Sequence, residues 1–154
     1  MRVGSSFDIH NLKKGKMIVL GGINIPSPFK VEAVSDGDIL LHTISEAIIG
    51  ACGAGDLGEY FSAKHKNISS VVILKKALSI MQEKNYCIIN IDTTIVVQKP
   101  YLKEYKALIK EKIAEICDIK LDCINIKATT FEKKRSKKIW ALTTVLLGGY
   151  NEKR

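Results

Sequence analysis

Residues 35–53 read SDGDILLHTISEAIIGACG, and this stretch predicts a buried helix that is entered through a tight acidic turn. The turn Ser35-Asp36-Gly37-Asp38 has residues typical of loops and supplies an acidic N-cap for the helix that follows. We expect the helix to run from about Ile39 to Cys52 and to end at Gly53-Ala54-Gly55. Its apolar positions recur at helical spacing, at Leu40, Leu41, Ile44, Ile48 and Ile49.

Extended and helical patterns alternate on both sides of this helix. Before it, β-prone residues from Arg2 to His10 and from Met17 to Ile25 together predict a hairpin, with Gly21-Gly22 marking a bulge or a close backbone approach. After it, the pattern predicts a helix over 70–84, capped by Ser69 or Ser70, and then a strand over 87–97. A further helix is predicted from Pro100 to Cys117, and we expect it to bury Tyr101, Leu102 and Leu108. Two last strands are predicted over 122–129 and 139–148.

This order of elements predicts the fold class. The chain has 154 residues without internal repeats or a linker, which favours one domain over residues 1–154. Alternating strands and helices favour an α/β fold of the α+β type, with a mixed sheet and helices packed on one of its faces.

The charge of the chain indicates an anionic partner. Lys and Arg exceed Asp and Glu by enough to give a net charge of +8, and much of the excess lies in the run from Lys133 to Lys138. This run has two interpretations, a nucleic-acid patch or a solvated loop that steers a small phosphorylated substrate. The second is favoured because few aromatic residues are interleaved for base stacking, so we expect no nucleic acid as partner.

The cysteines and the absence of long apolar runs predict a cytoplasmic protein. Cys52, Cys87, Cys117 and Cys123 form no C-x-x-C pair, which is typical of reduced thiols. The first residues lack a secretory apolar region, and nowhere do eighteen uncharged apolar residues run together, so we expect no membrane association. If a transit peptide has been removed, a plastid stroma is the alternative location.

Asp8, His10 and His42 are the candidate metal ligands. Asp8 and His10 are two residues apart on a predicted strand, so their side chains leave the same face. On their own they are more often a surface pair, but His42 on the first turns of the 39–52 helix adds a third ligand. Two imidazoles, one carboxylate and an open fourth position are typical of catalytic zinc, which acts as a Lewis acid.

Four further groups carry chemistry only in combination with that site. Backbone amides at the start of the 39–52 helix and the hydroxyl of Ser35 could hold a phosphate, although a plain capped turn is equally compatible. Glu46, one helical turn after His42, could orient its imidazole or be a solvated carboxylate. Gly55-Asp56-Leu57-Gly58 allows a sugar hydroxyl to approach the backbone, and Lys127 to Glu132 offers hydroxyls and a carboxylate to a phosphate and magnesium.

In their order along the chain, these motifs resemble the 2-C-methyl-D-erythritol 2,4-cyclodiphosphate synthases of the non-mevalonate isoprenoid pathway. The resemblance spans nearly the whole chain. It rests on five ordered blocks, which are Arg2-Val3-Gly4 with Phe7-Asp8-Ile9-His10, Gly21-Gly22 with Ile25-Pro26, Ser35-Asp36-Gly37-Asp38 with His42, Gly55-Asp56-Leu57-Gly58 with Phe61, and Lys127-Ala128-Thr129-Thr130 with Glu132.

The resemblance implies a reaction and a set of site residues. A 4-diphosphocytidyl methylerythritol 2-phosphate would be converted to the cyclic diphosphate with loss of CMP. Zinc would be held by Asp8, His10 and His42, and magnesium or manganese by Glu132, with Thr130 completing the catalytic set. The implied substrate contacts are Ser35, Asp36, Asp56, Gly58, Pro100, Tyr101, Leu102, Ala128, Thr129, Thr130 and Arg135.

The resemblance also implies an assembly. Members of the family are homotrimers with active sites between subunits, and their sheets face a central axis. An apolar cavity near the position of Phe7 can bind isoprenoid diphosphates.

Several residues depart from the family pattern. Val34 stands where His is usual, Glu46 where Asp is usual and Phe131 where Thr is common, while the loop over 62–69 is shorter and the glycine-rich stretch after Glu132 is replaced by the basic run. These departures leave two alternatives open, a catalytically weakened homologue that binds a nucleotide or isoprenoid diphosphate, and a basic RNA-binding protein.

Overall fold

The computed structural model describes residues 1–61, 67–132 and 136–150. They form a mixed α/β domain whose strands are β1 (Arg2–Lys14), β2 (Met17–Leu20), β3 (Ile23–Pro26), β4 (Phe29–Val31), β5 (Tyr86–Val97), β6 (Ile124–Thr129) and β7 (Lys138–Gly149). The helices are α1 (Ile39–Ala51), α2 (Leu57–Tyr60), α3 (Ser70–Glu83) and α4 (Lys106–Cys117), and a short 3-10 turn spans Leu121–Cys123.

The main sheet has five strands in the order β4-β1-β7-β5-β6. Strand β6 runs parallel to β5 and the other pairs are antiparallel, which confirms the predicted mixed sheet. Helix α1 packs on β1 and β7, α3 packs on α1, and α4 contacts β6. The inward residues of β7 alternate with exposed ones, so the helices cover one face of the sheet.

The other face of the sheet carries apolar side chains that stay exposed. Phe7 and Ile9 on β1 and Leu142 on β7 belong to this open face, with relative exposures of 53%, 38% and 49%. Trp140 lies edge-on to Phe7, with ring centroids 5.6 Å apart. We refer to these four residues as the open sheet face.

Helix α1 forms as its sequence predicts. The carboxylate of Asp38 accepts the N–H of Leu41 and caps the first turn, and Ile39, Leu40 and Leu41 are fully buried. Buried apolar residues surround most of the helix, because it lies between the sheet and α3.

The predicted hairpin between residues 2–10 and 17–25 is wrong. Strand β1 continues to Lys14 and pairs with β7 and β4, whereas β2 turns back at Gly21-Gly22 and pairs with β3. Both glycines have positive φ, +62° and +80°, which is the geometry of a two-residue hairpin turn. The glycine pair is therefore the turn itself.

Helix α4, which was predicted to run from Pro100 to Cys117, begins later in the structure than predicted. It begins at Lys106, because Leu102 turns into the core and its carbonyl accepts the N–H groups of Tyr105 and Lys106. Tyr101 and Leu108 were expected on the buried face, but they are 61% and 53% exposed. Within the described residues, no helix has the length and apolar character that a membrane crossing requires.

Candidate active site

Asp8, His10 and His42 converge at the junction of β1 and α1. Asp8 and His10 leave the same face of the strand, and His42 lies in the first turns of the helix opposite them. Oδ2 of Asp8 is 3.1 Å from Nε2 of His10 and 3.6 Å from Nδ1 of His42. The three ligand atoms lie within 4.8 Å of one another, so they can share one ion.

Neighbouring backbone groups orient two of these ligands. Nδ1 of His10 donates to the carbonyl of Glu32 at 3.1 Å, which leaves Nε2 directed at the cluster. The N–H of Ile9 donates to Oδ1 of Asp8 at 2.8 Å, so Oδ2 is left for the imidazoles. Asp8 and His10 thus each have one atom fixed and one atom directed at the common point.

Close approach of α1 to β1 brings His42 to the strand. A Cβ on Gly4 would lie 2.0 Å from the carbonyl oxygen of Ala47 and 2.7 Å from the nitrogen of Ala51. A side chain at this position is therefore incompatible with the observed packing. Glycine at this position sets the spacing between the two elements that carry the ligands.

The charges of the cluster are coupled. Burial opposes ionisation of Asp8, but hydrogen bonds from His10 and His42, with the charge of His10, hold the pKa of Asp8 well below its usual value. The same hydrogen bond raises the pKa of His10 above its ordinary value, although burial opposes this. Without a metal, the site therefore favours a carboxylate paired with an imidazolium.

The donor set fits zinc. Two imidazole nitrogens and one carboxylate oxygen, all half-buried, leave a fourth position open to a cavity of about 510 Å³. Ser6, Thr43 and Glu46 also line this cavity, which we call the metal cavity. An ion bound there could therefore be reached by a substrate.

In the structure, Glu46 forms a hydrogen bond with the start of α2. Its carboxylate accepts the N–H of Leu57 at 3.2 Å, while the described contacts of His42 in the cluster run to Asp8. Burial, together with the nearby Asp56, raises the pKa of Glu46. Glu46 therefore connects α1 to the start of α2, and its orientation of the His42 imidazole stays a prediction.

The turn before α1 uses its own polar groups. The amide of Ile39 donates to the carbonyl of Gly37 and that of Leu41 donates to the carboxylate of Asp38, so these amides are already satisfied. Oγ of Ser35 accepts the N–H of Gly37 at 3.3 Å and keeps its own proton to donate. A phosphate contact from Ser35 stays a prediction, and it would come from the hydroxyl.

Asp38 is buried and joins this turn to the hairpin. Its carboxylate accepts the N–H of Gly21 at 2.9 Å and of Gly22 at 2.7 Å, besides that of Leu41. Burial raises its pKa, although the three backbone donors oppose that shift. The local sequence predicts Asp38 only as a cap, because its contacts with the hairpin are long-range.

Asp56 and Gly58 lie at the start of α2. The carboxylate of Asp56 caps α2 by accepting the N–H of Glu59 at 3.3 Å. This is an ordinary helix-capping role. Their contact with a ribose stays a prediction.

Six residues predicted to bind the nucleotide line one second cavity, of about 280 Å³. They are Pro100, Tyr101, Leu102, Ala128, Thr129 and Thr130. Val97, Lys103 and Lys106 complete the lining and were not predicted as site residues. Both lysines closely follow Leu102 in the sequence, and positive charge next to the predicted Pro100-Tyr101-Leu102 segment was the signal that could have identified them. We call this the nucleotide cavity.

Glu132 lies just beyond the nucleotide cavity. It adopts a positive φ of +55°, and its N–H donates to Oγ1 of Thr130 at 3.4 Å. Its role as a magnesium or manganese ligand stays a prediction. The predicted contact at Arg135 lies outside the described residues, as does part of the basic run.

The two cavities open at the same end of the sheet. In the strand register, His10 lies opposite Ile139, and Ile139 lies opposite Val97 of the nucleotide cavity. Two strand spacings correspond to roughly 10 Å. The metal ligands and the lining of the nucleotide cavity thus lie at the same end of the sheet.

Residues 1–148 match the model of the YgbB family. The chain is 46% identical over 136 residues to the 2-C-methyl-D-erythritol 2,4-cyclodiphosphate synthase of Fusobacterium nucleatum, covering 86% of this chain and 85% of that protein. It is 39% identical over 155 residues to the same synthase of Leptospira borgpetersenii, covering 95% and 96%.

Among solved structures, the chain is similar to IspF of Plasmodium falciparum, which was solved as a CDP complex. The TM-score is 0.86 at 32% identity, and the match covers 96% of each chain.

Proposed function

This chain belongs to the YgbB family, and on that premise we propose that it converts 4-diphosphocytidyl-2-C-methyl-D-erythritol 2-phosphate to 2-C-methyl-D-erythritol 2,4-cyclodiphosphate with release of CMP. One observation carries the proposal. An N,N,O ligand cluster and a cavity lined by the expected nucleotide residues lie at the same end of one sheet. A CDP complex is known for a similar protein, which supports a cytidine nucleotide as substrate.

The reaction is a displacement at phosphorus within one molecule. An oxygen of the 2-phosphate attacks the β-phosphorus, the bond from that phosphorus to the CMP oxygen breaks, and the electron pair leaves with CMP. No water or redox partner is consumed. The proposal therefore makes this a phosphorus-oxygen lyase.

The residues of the chain would contribute positioning and charge. Asp8, His10 and His42 would hold zinc and Glu132 a magnesium or manganese ion, and these ions would neutralise phosphate charge. Ser35 donates its hydroxyl to a phosphate oxygen, and Thr130 does so on the nucleotide side. Restricting both phosphates to one geometry accelerates an intramolecular attack without acid-base chemistry.

CMP release from the diphosphocytidyl substrate tests the activity. We expect release by the wild-type chain, loss after treatment with a zinc chelator, and recovery when zinc is restored. His42→Ala should abolish turnover while the assembly stays intact. Absence of release at full metal occupancy would instead identify a weakened nucleotide-binding homologue, the alternative that Val34 and the altered loops motivate.

We propose a homotrimer with active sites between subunits. Two features support it. The open sheet face is apolar and needs a cover in water. One edge of strand β1 pairs with β7. Among the described strands, β4 pairs with the other edge of β1 only at Leu12–Lys14. The part of that edge at Asp8 and His10 is therefore available for contact with a neighbouring subunit.

Mixed assemblies test whether the two cavities of one site come from different subunits. His42→Ala removes the metal half and Thr130→Ala the nucleotide half, so each variant alone should be inactive. If the sites lie between subunits, random mixing rebuilds about one quarter of them. No recovery of CMP release in mixed assemblies would contradict shared sites.

Two finer assignments belong to the same proposal. The apolar open sheet face, facing a trimer axis, would form a cavity for an isoprenoid diphosphate, and a tritiated diphosphate retained on the trimer tests this.

The four cysteines are unpaired, and Cys52, Cys87 and Cys117 are buried, as is common in reducing compartments. This supports a cytoplasmic location, which fractionation of the source cells would check.

A further inference from the structure

The carboxylate of Asp36 is directed at helix α3. Oδ2 of Asp36 accepts the N–H of Ser70 at 2.8 Å, and Oδ1 accepts the Ser70 hydroxyl. Oδ1 also accepts the N–H of Asp38 at 3.1 Å. Three donors therefore occupy a group that accepts about four hydrogen bonds, which leaves little capacity for a substrate hydroxyl.

Backbone hydrogen bonds join the same two segments. The N–H of Asn67 donates to the carbonyl of Val34 at 2.9 Å, and the N–H of Asp36 donates to the carbonyl of Ile68 at 3.2 Å. With the two bonds from Ser70, these contacts fix residues 34–36 against residues 67–70. We call this set of four hydrogen bonds the 36–70 clamp.

The start of α3 is suited to a carboxylate. The first amides of a helix lack internal acceptors and carry partial positive charge. The amide of Ser70 is satisfied by Asp36, and that of Val71 by Oγ of Ser69 at 3.3 Å. Ser70 is fully buried, so its hydroxyl has little access to water as an alternative partner.

The clamp determines where the turn before α1 lies. Ser35 directly precedes Asp36, and His42 follows on the helix that this turn starts. We propose that Asp36 and Ser70 are positioning residues for the proposed reaction. They hold the Ser35 hydroxyl at the substrate phosphate, and Asp36 acts through Ser70 and not by contact with substrate. This inference rests on the proposed function.

Ser70→Ala removes the hydroxyl of the clamp and leaves Asp36 in place. We expect KM for the diphosphocytidyl substrate to rise about tenfold, the effect of losing one hydrogen bond to a charged group, with kcat changed less than about twofold. Zinc content should be unchanged, because the metal ligands keep their own partners. Asp36→Asn should have an effect of similar size and kind.

The matched control is Ser69→Ala. It removes the neighbouring cap of the same helix but leaves the 36–70 clamp intact, so KM should stay at the wild-type value. An equal rise in KM for Ser69→Ala and Ser70→Ala would mean that general loosening of α3 is responsible, and it would overturn the inference.

The double variant separates positioning from direct binding. If Asp36 acts through Ser70, combining Asp36→Asn with Ser70→Ala should raise KM no more than the larger single effect. A rise equal to the product of the two single effects would mean that Asp36 meets the substrate independently, which overturns the inference. No CMP release by the wild-type chain would overturn the proposed function itself, whereas wild-type release with unchanged KM in Ser70→Ala would overturn only the clamp.

Discussion

Substituting Gly4 with alanine should disturb both the stability of the fold and the metal site. The added Cβ would lie 2.0 Å from the carbonyl oxygen of Ala47, where ordinary contact needs at least 3.4 Å, so helix and strand must separate by about 1.4 Å. The obstructing atoms are largely backbone and cannot rotate away. We expect a loss of about 2–3 kcal/mol in the free energy of unfolding, the upper range for overpacking.

The same displacement moves His42 away from Asp8. Zinc ligands must stay within about 0.2 Å of their ideal distances, so a shift of this size should weaken zinc binding at least about tenfold. Thermal unfolding should show a decrease of roughly 5–10 °C, and competition with a chromophoric chelator gives the zinc affinity.

Gly50→Ala on the same helix is the control for the Gly4 substitution. A Cβ at Gly50 meets nothing within 4 Å. Because alanine favours helix more than glycine does, this variant should gain about 0.5–1 kcal/mol and bind zinc as the wild type does. Wild-type stability and zinc affinity in Gly4→Ala would refute the inferred dependence of the metal site on this close approach.

Three further predictions address charge, the buried hydroxyls and assembly. The pKa of His10 is raised by Asp8, so zinc must displace its proton, and affinity measured by titration should fall about tenfold per pH unit below that pKa. In the metal-free protein the stabilisation that the raised pKa of His10 contributes is fully present just below the ordinary value of 6.5, where Asp8 is a carboxylate. It is lost as pH rises through the raised pKa, which melting curves would follow. The hydroxyl of Thr143 lies 2.9 Å from that of Thr43 and 3.0 Å from that of Thr93, and all three residues are buried. Thr143→Val breaks this chain and should cost about 1–3 kcal/mol in denaturant unfolding, whereas Thr144→Val on the exposed side should cost little. Leu142→Lys places a charge on the open sheet face and should yield monomers in sedimentation, while an intact trimer would contradict the proposed axis.

Local patterns predicted the elements whose signals lie close together in sequence. Helix α1 was expected over 39–52 and is observed over Ile39–Ala51, because its cap, apolar spacing and glycine stop are all local. The convergence of Asp8 and His10 followed from strand periodicity. The pairing of β2 with β3 was missed although its signal is local, because a glycine pair between two short apolar runs is typical of a two-residue hairpin turn. The late start of α4 was missed because it depends on the burial of Leu102 in the core.

The acidic residues around α1 show why the position of the site could be predicted from the sequence, whereas the contacts that hold it together could not. Asp36, Asp38 and Glu46 each accept backbone N–H groups from a segment distant in sequence, from Ser70, from the Gly21-Gly22 turn and from Leu57. Helix α1 and its entry turn thus hold three loops around the metal ligands. In a chain of net charge +8, these carboxylates serve the fold.

Recognition of a polyanionic substrate is then left to other groups. In the proposed reaction, Lys103, Lys106 and the threonines of the nucleotide cavity would supply donors on one side, and a metal ion held by Asp8, His10 and His42 would supply positive charge on the other. Because Asp36, Asp38 and Glu46 are already bound to backbone amides, they do not need to approach the substrate phosphates, which would repel them. A strongly acidic motif beside a phosphate site is thereby compatible with binding an anion.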